Sequence, residues 1–191
     1  MNSHKNINLY TFTNFTDLNE YEINLVHKER NDLEVRVKMF DEKIIPIQEH
    51  LKFLDKLKND NKKIFILVKR ANLYIGVYSL VKIEDGNAQG GFYLFKEARE
   101  KNLIIDFLYQ TLTYIFNNFS ITNINGYALK DNKAANRINI FFGFRDAIPS
   151  KSNELYYYTE IQKHIWQTEV LNNDNVIKLV TQTQKYYNNE T

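Results

Sequence analysis

Apolar and polar side chains repeat along the chain with two different periods, and each change of period marks a predicted element. Residues 7–12 alternate and are rich in β-forming side chains, which predicts a strand. After Thr16-Asp17, which we expect to cap a first helix, apolar side chains recur at helical spacing: Leu18, Tyr21, Leu25 and Val26. Pro46 opens a second run of this kind, which predicts a second helix from Ile47, His50, Leu51, Leu54 and Leu57.

The middle of the chain combines a meander of strands with a long helix. Turn-like residues at 70–72 and 84–87 separate three β-rich runs, which predicts antiparallel strands at 64–68, 73–83 and 90–96. Residues 102–116 then carry apolar side chains at helical spacing and form the clearest predicted helix.

The last third predicts a strand, a helix, a strand and a helical extension. A strand is expected at 121–129 and another at 155–161. Between them lies a helix from Asn132 to Phe142 that Gly143 should end in a left-handed turn. After His164 we expect one or two further helices. The whole order is that of an α+β fold, with one domain at 1–165, an extension at 166–191 and a loose end from Tyr186 to Thr191.

Composition narrows the function classes. A formal charge of +2, from 25 basic and 23 acidic side chains, gives no field that would favour nucleic acid. The lysine run at 52–63 is diluted by acidic and amide side chains, so we interpret it as a solvated helix end. Neither a signal peptide nor a membrane-spanning run is visible, which leads us to expect a cytoplasmic protein.

Metal and thiol chemistry are not indicated by the sequence either. The chain has no cysteine, which excludes disulfides, thiolate ligands and a cysteine nucleophile. His4, His27 and His164 have no carboxylate at metal-binding spacing, so no metal is expected.

Four segments between Phe15 and Phe144 resemble the GNAT acetyltransferases. The first is Glu29-Arg30-Asn31 with Met39-Phe40, together with His50-Leu51-Lys52-Phe53-Leu54. The second is the strand pair Tyr74-Ile75-Gly76-Val77 and Val81-Lys82-Ile83. The others are the stretch from Gly90 to Asn102 and the motif Asn132-x-x-Ala135 leading to Gly143-Phe144. Each element is weak alone, and their order and spacing carry the resemblance.

The resemblance implies a GNAT fold, in which a mixed, mostly antiparallel sheet is flanked by helices and its fourth and fifth strands splay to admit acetyl-CoA. The cosubstrate would meet Leu94, Phe95, Lys96, Lys101, Asn102, Leu103, Ile104 and Asn132. Asn102 and Ile104 stand where the family usually has glycine. Because an isoleucine keeps its N–H and suits helical angles, we expect binding that is weaker but not abolished.

The resemblance also suggests the catalytic positions, where this chain departs from the family. A tyrosine acid and a glutamate base of the family correspond here to Asn139 and Tyr127. An amide cannot release a proton at useful pH, whereas the Tyr127 phenol is a candidate acid.

The acceptor side points to a sugar nucleotide. Within the family, the resemblance lies with enzymes that acetylate the 4-amine of a UDP-linked dideoxy sugar in pseudaminic-acid biosynthesis. The implied substrate residues are Arg30, His50, Val81, Lys82 and Phe95. Two hypotheses remain open at this point: an active N-acetyltransferase, with a homodimer as one option for its assembly, and a GNAT-like binding or regulatory protein without catalysis.

Overall fold

The computed structural model describes residues 9–39, 41–145 and 154–188, and one six-stranded sheet organises them. The strands are β1 (Tyr10–Asn14), β2 (Ile64–Arg70), β3 (Leu73–Glu84), β4 (Asn87–Leu94), β5 (Asn123–Leu129) and β6 (Tyr156–Gln162). The helices are α1 (Glu20–Arg30), α2 (Leu33–Arg36), α3 (Ile47–Leu57), α4 (Lys96–Glu100), α5 (Ile104–Asn118), α6 (Lys133–Phe141), α7 (Lys163–Ile165) and α8 (Asp174–Asn188).

The sheet runs in sequence order from β1 to β6, and β4 with β5 is its one parallel pair. That pair is short, because its register covers Asn87–Gln89 against Asn123–Asn125 and goes no further. By contrast, the antiparallel partners of both strands stay paired to the strand ends. The predicted mixed, mostly antiparallel sheet with a splayed central pair is confirmed.

Two-residue turns at 71–72 and 85–86 set the hairpin registers. The second turn shows that the predicted start of β4 is wrong. Asp85 and Gly86 both have positive φ (49° and 77°), the backbone of the turn that best fits strand twist. β4 therefore starts at Asn87, earlier than the predicted 90–96, and the prediction that Lys96 belongs to this strand is wrong. Lys96 instead opens the short helix α4, which the sequence did not indicate.

The first helix also begins later than predicted. Phe15–Asp17 forms a separate 3₁₀ turn, and α1 starts at Glu20. Asn19 caps it, because its side chain accepts from the Glu22 N–H while the Glu22 carboxylate accepts from the Asn19 N–H. This reciprocal pair satisfies two N–H groups at the start of α1. The prediction that Thr16-Asp17 caps the first helix is therefore wrong.

Helices cover the two faces of the sheet unequally. On one face a large core forms between α5, α8 and the inward side chains of all six strands. Its buried residues include Phe107 and Phe116 of α5, Ile124 of β5, and Trp166 after β6. On the other face α1 and α3 pack on β2 and β3 through Val26, Leu54, Leu67 and Val77. That second cluster includes no described residue of β5 or β6. The described apolar contacts of α1 and α3 therefore lie on the β2–β4 part of this face, although Tyr158 of β6, which points to the same face, is also buried.

The chain after β6 is helical, as predicted, and joins the large core. Trp166 lies in a π-helical turn (Trp166–Val170) and is 1% exposed. Val176 and Val180 of α8 are buried in the same cluster. Tyr186, predicted to begin a loose end, belongs to α8, and residues 189–191 lie outside the described part. The division of the chain at 165/166 stays a prediction. No helix in the described ranges is long and apolar enough to cross a bilayer.

Candidate active site

Glycines mark the point where β4 and β5 part. A Cβ on Gly126 would come within 3.2 Å of the Gly90 carbonyl oxygen. A Cβ on Gly90 would meet the Tyr78 hydroxyl at 2.6 Å and Ile124 Cγ2 at 2.7 Å. The strands can therefore approach this closely only without side chains here. Beyond Gln89 and Asn125 the parallel register ends, which leaves an opening between the strands.

The turn that enters α5 keeps the backbone that the family's glycines would provide. Asn102 has φ of 52°, a left-handed conformation that asparagine tolerates better than most side chains. Ile104 is the first residue of α5, with helical angles that suit it. Acetyl-CoA binding at this turn stays a prediction.

The start of α5 presents N–H groups that no side chain caps. The first intrahelical bond is donated by Phe107 to the Leu103 carbonyl, so the N–H groups of Ile104, Ile105 and Asp106 precede the helical ladder. Uncapped N–H groups at the positive end of a helix dipole are suited to an anion such as a pyrophosphate.

The predicted acetyl-CoA residues divide into backbone and side-chain roles. Leu94 ends β4, and the side chains of Phe95 and Leu103 are buried (3% and 0% exposed), so these two can offer only backbone groups to a ligand. The Lys96 N–H donates to Glu29 Oε2 at 2.8 Å, and Lys101 pairs with Glu97 at 2.9 Å. The Asn132 side chain caps α6 by accepting from the Ala135 N–H.

The two predicted catalytic residues lie on different layers of the fold. Tyr127 is 38% exposed on β5, on the face opposite to the buried Ile124, and its ring centroid is 5.1 Å from that of Tyr158. Asn139 is half-buried on α6, whose Ile138 packs against the large core on the other face. No described hydrogen bond joins their side chains. The structure therefore does not show Tyr127 and Asn139 in contact.

Arg30 stands beside the carboxyl end of β4. Its Nη2 donates to the Asp41 carbonyl at 3.3 Å, whereas its Nη1 is buried and has no partner in the described part of the chain. Tyr93 is partly buried next to it, and burial raises the pKa of this phenol, which the Arg30 charge opposes. A buried guanidinium nitrogen without a partner is costly, so this position is suited to an anionic ligand.

His50 is buried between helices and does not line an open surface. It is 5% exposed, its ring lies 5.4 Å from that of His27, and burial, followed by the His27 charge, lowers its pKa to about 4. The ring is therefore neutral near pH 7. Its Nε2 has no partner among the described residues. The packing of the ring explains its presence on α3 without a ligand.

Val81 and Lys82 lie away from Arg30. Lys82 is exposed, has φ of 54° and sits in a bulge of β3, where the register with β4 shifts between Val81 and Glu84. Tyr93, next to Arg30, pairs with Val77. Four residues of strand separate Val77 from Val81, which is about 13 Å. The structure therefore does not bring Lys82 and Arg30 to one point.

Polar side chains on β5 and β6 belong to the same surface and were not singled out by the sequence. Asn125 and Glu160 are paired across the strands, next to the pair Tyr127 and Tyr158. Strand alternation through the run Tyr156-Tyr157-Tyr158 was the available signal, because it places Glu160 on the side of Tyr158. The parallel alignment with β4, which sets this surface beside Gln89, was not readable from the sequence.

Comparison with known families assigns this arrangement. The sequence profile of the family described as "Acetyltransferase (GNAT) domain" matches residues 12–145 of the 191. The chain belongs to the GNAT acetyltransferases. The match ends at Arg145, so β6 and the helices after it lie outside the matched residues. No group of three or more potential metal ligands is present in the residues the structure describes.

Relatives within the GNAT family include enzymes named PseH. "Acetyltransferase PseH" of Campylobacter jejuni strain 81-176 is 33% identical over 122 residues, which is 64% of this chain and 76% of that protein. The crystal structure of Campylobacter jejuni PseH in complex with acetyl coenzyme A has a TM-score of 0.65 at 25% identity, covering 81% of this chain and 99% of that one. Spermidine N-acetyltransferase from Vibrio cholerae has a TM-score of 0.73 at 16% identity, over 84% of this chain and 99% of that one, and shows the shared fold alone.

Proposed function

We propose that the protein is an acetyl-CoA-dependent N-acetyltransferase whose acceptor is the amine of a nucleotide-linked sugar, a UDP-4-amino-dideoxy sugar. The single observation that carries the proposal is the uncapped start of α5 after a left-handed Asn102, next to the parting strands β4 and β5. The similarity to PseH, a relative solved with acetyl-CoA, supports the same ligand here. Such an activity belongs to nonulosonic-acid and flagellin-glycan biosynthesis.

The donor side would hold acetyl-CoA mainly through backbone groups. The N–H groups of Ile104, Ile105 and Asp106 would take the pyrophosphate, and the free edges of β4 and β5 beyond Gln89 would pair with the pantetheine amides. Acetyl-CoA supplies the acetyl group as a reactive thioester. Arg99 adds little charge there, because it is bound to Asp32 at 2.8 Å and Glu34 at 3.2 Å.

The acceptor side would use cationic groups for the diphosphate and a sheet surface for the sugar. Arg30, with its unpartnered Nη1, is suited to a phosphate oxygen. Lys82 would contact a more distant part of a long ligand, with Val81 beside it. His50 and Phe95 are buried and would shape the site through the packing of α1 and α3.

Direct transfer needs an amine without its extra proton and an acid for the departing thiolate. Tyr127 is a partly exposed phenol on β5, and we assign it the role of acid. The Asn139 amide on α6 can donate a hydrogen bond but cannot replace the acid.

The test is release of CoA from acetyl-CoA in the presence of UDP-4-amino-4,6-dideoxy sugars, read with a thiol reagent. The chain has no cysteine, so the reagent reports CoA alone. We expect release that requires the 4-amine and is absent with the matching 4-hydroxy sugar nucleotide. Release from none of the amino sugars would contradict the proposal.

A second candidate is a GNAT-like binding or regulatory protein without turnover, which Asn139 favours because it lacks a transferable proton. Saturable acetyl-CoA binding without CoA release from any amine would support it. A cytoplasmic location and a homodimer remain proposals that fractionation and light scattering would test.

A further inference from the structure

The surface beside the opening carries a row of polar side chains that the proposed roles have not used. Gln89 of β4 aligns with Asn125 of β5, which pairs with Glu160 of β6. All three side chains point to the face of the sheet that carries α1 and α3, opposite to the buried pair Ile124 and Ile161. The row lies at the last paired position of β4 and β5, which is where the cleft begins.

Glu160 is held loosely for a half-buried carboxylate. Its Oε2 accepts from Asn123 Nδ2 at 3.4 Å, a long hydrogen bond. Arg145 lies beside it through a backbone bridge, but its guanidinium is turned to Glu169 at 2.6 Å. The other titratable side chains on this face of β5 and β6 are the phenols of Tyr127, Tyr156 and Tyr158. No described cation forms an ion pair with Glu160, so its charge is open to a ligand.

The carboxylates on the other side of the site are committed elsewhere. Glu29 accepts from the Lys96 N–H, and Glu22 accepts from the Tyr74 hydroxyl at 3.1 Å. Asp32 and Glu34 both pair with Arg99. Glu160 therefore combines a position one strand from the cleft, roughly 5 Å, with the lack of an ion-pair partner among the described residues.

The geometry points to Glu160 as the general base of the transfer, a role that rests on the proposed function. Glu160 supplies a carboxylate from the strand that pairs with the strand of Tyr127. The amine nitrogen bonds to the acetyl carbonyl carbon and the carbon–sulfur bond breaks. The amine proton passes to Glu160 directly or through one water, and the CoA thiolate takes a proton from Tyr127.

The experiment compares the full-length wild type with Glu160→Gln, using acetyl-CoA and the UDP-4-amino-4,6-dideoxy sugar from pH 6.5 to 9.5. We expect kcat/KM to fall about 100-fold at pH 7. The deficit should shrink to a few-fold near pH 9.5, since more of the amine is then unprotonated without help. Glu160→Asp should recover part of the loss. Thermal melting should be unchanged in all variants.

A second readout does not depend on turnover. Calorimetric binding of the amino sugar without acetyl-CoA should weaken several-fold in Glu160→Gln, because a carboxylate attracts the protonated amine. Asp174→Asn, which removes an exposed carboxylate at the start of α8, is the matched control and should behave as wild type.

The outcomes separate this inference from the function on which it rests. If the wild type releases no CoA with the amino sugar, the proposed function fails and Glu160 has no such role. If the wild type is active and Glu160→Gln matches it at pH 7, or loses the same factor at every pH, only the role of Glu160 is overturned.

Discussion

Two carboxylates, Asp106 and Glu160, show how differently the protein uses one chemical group. Asp106 is completely buried in the first turn of α5, and Tyr10, Gln110 and Gln184 donate to it, with Gln184 at 3.0 Å. Arg70 lies 3.6 Å away and is itself buried. Glu160 is half-buried, with one long hydrogen bond. A buried charge must be surrounded by partners, whereas a reactive one must keep room for a ligand.

The Asp106 cluster ties four elements together, since Tyr10 lies on β1, Arg70 on β2 and Gln184 on α8. Burial and the nearby carboxylate raise the pKa of Tyr10, which keeps its proton available for the bond to Asp106. Asp106 lies in the same first turn of α5 whose N–H groups form the proposed pyrophosphate site. Its contribution is therefore to hold the start of α5 in place.

Of the two carboxylates, removal of the buried one, Asp106, should have the larger effect on the free energy of unfolding. Asp106→Ala should lower the free energy of unfolding by about 3–5 kcal/mol, because it leaves buried donors without their shared acceptor. Urea unfolding would measure this. Glu160→Ala is the matched control and should cost less than about 1 kcal/mol. Similar losses in both variants would break the comparison.

The reverse pattern is expected for catalysis on the open surface. Tyr127→Phe should reduce kcat by about 100-fold, since it removes the proton for the departing thiolate, and should leave the urea midpoint nearly unchanged. Tyr157→Phe, which alters an exposed phenol on the opposite side of β6, serves as the control. Unchanged turnover in Tyr127→Phe would remove Tyr127 from the mechanism.

Stability should also depend on pH through His50, a buried group without a nearby counter-charge. Its pKa of about 4 in the folded state lies below the ordinary 6.5, so the unfolded chain binds this proton first. His50 therefore costs nothing above pH 6.5 and destabilises the fold as pH falls from 6.5 towards 4. The slope is up to about 1.4 kcal/mol per pH unit.

Urea unfolding of wild type and His50→Leu at pH 7.5, 6 and 5 would measure this dependence. The variant should show a flatter profile over that window. Parallel profiles in the two proteins would contradict the assignment to His50.

The smallest effect on acetyl-CoA binding is expected at Asn102, because this residue already adopts the positive φ that the turn requires. Asn102→Gly should change the acetyl-CoA dissociation constant by less than about twofold, because both residues adopt positive φ. Asn102→Val is the contrasting variant and should weaken binding about tenfold, since a β-branched side chain is strained there. Equal affinities for all three proteins would show that this turn does not bind the ligand.

The sequence predicts the order of elements well, because periodicity and turn residues are local signals. The helix from Asn132 that Gly143 ends is an example, since cap and left-handed glycine (φ 76°) are encoded next to the helix itself. Short helices such as α4 escaped prediction, because five residues give no readable period. The cap of α1 was misplaced because two candidate caps lie three residues apart.

The site was less predictable, because its geometry depends on contacts between distant segments. Tyr10 and Asp106 are separated by 96 residues, and nothing in either neighbourhood indicates the other. The register of β6 on β5 places Glu160 beside Asn125, and no local sequence pattern predicts that register. Lys82 and Arg30, grouped by resemblance, are separated by the length of strand between Val81 and Val77.

The proposed activity requires that acetyl-CoA bind at the opening between β4 and β5 and at the start of α5. Isothermal titration calorimetry of acetyl-CoA into the full chain tests this directly. We predict binding of one acetyl-CoA per chain that weakens as salt concentration rises, as expected for a pyrophosphate held by helix N–H groups. Absence of saturable binding at millimolar acetyl-CoA would contradict the account.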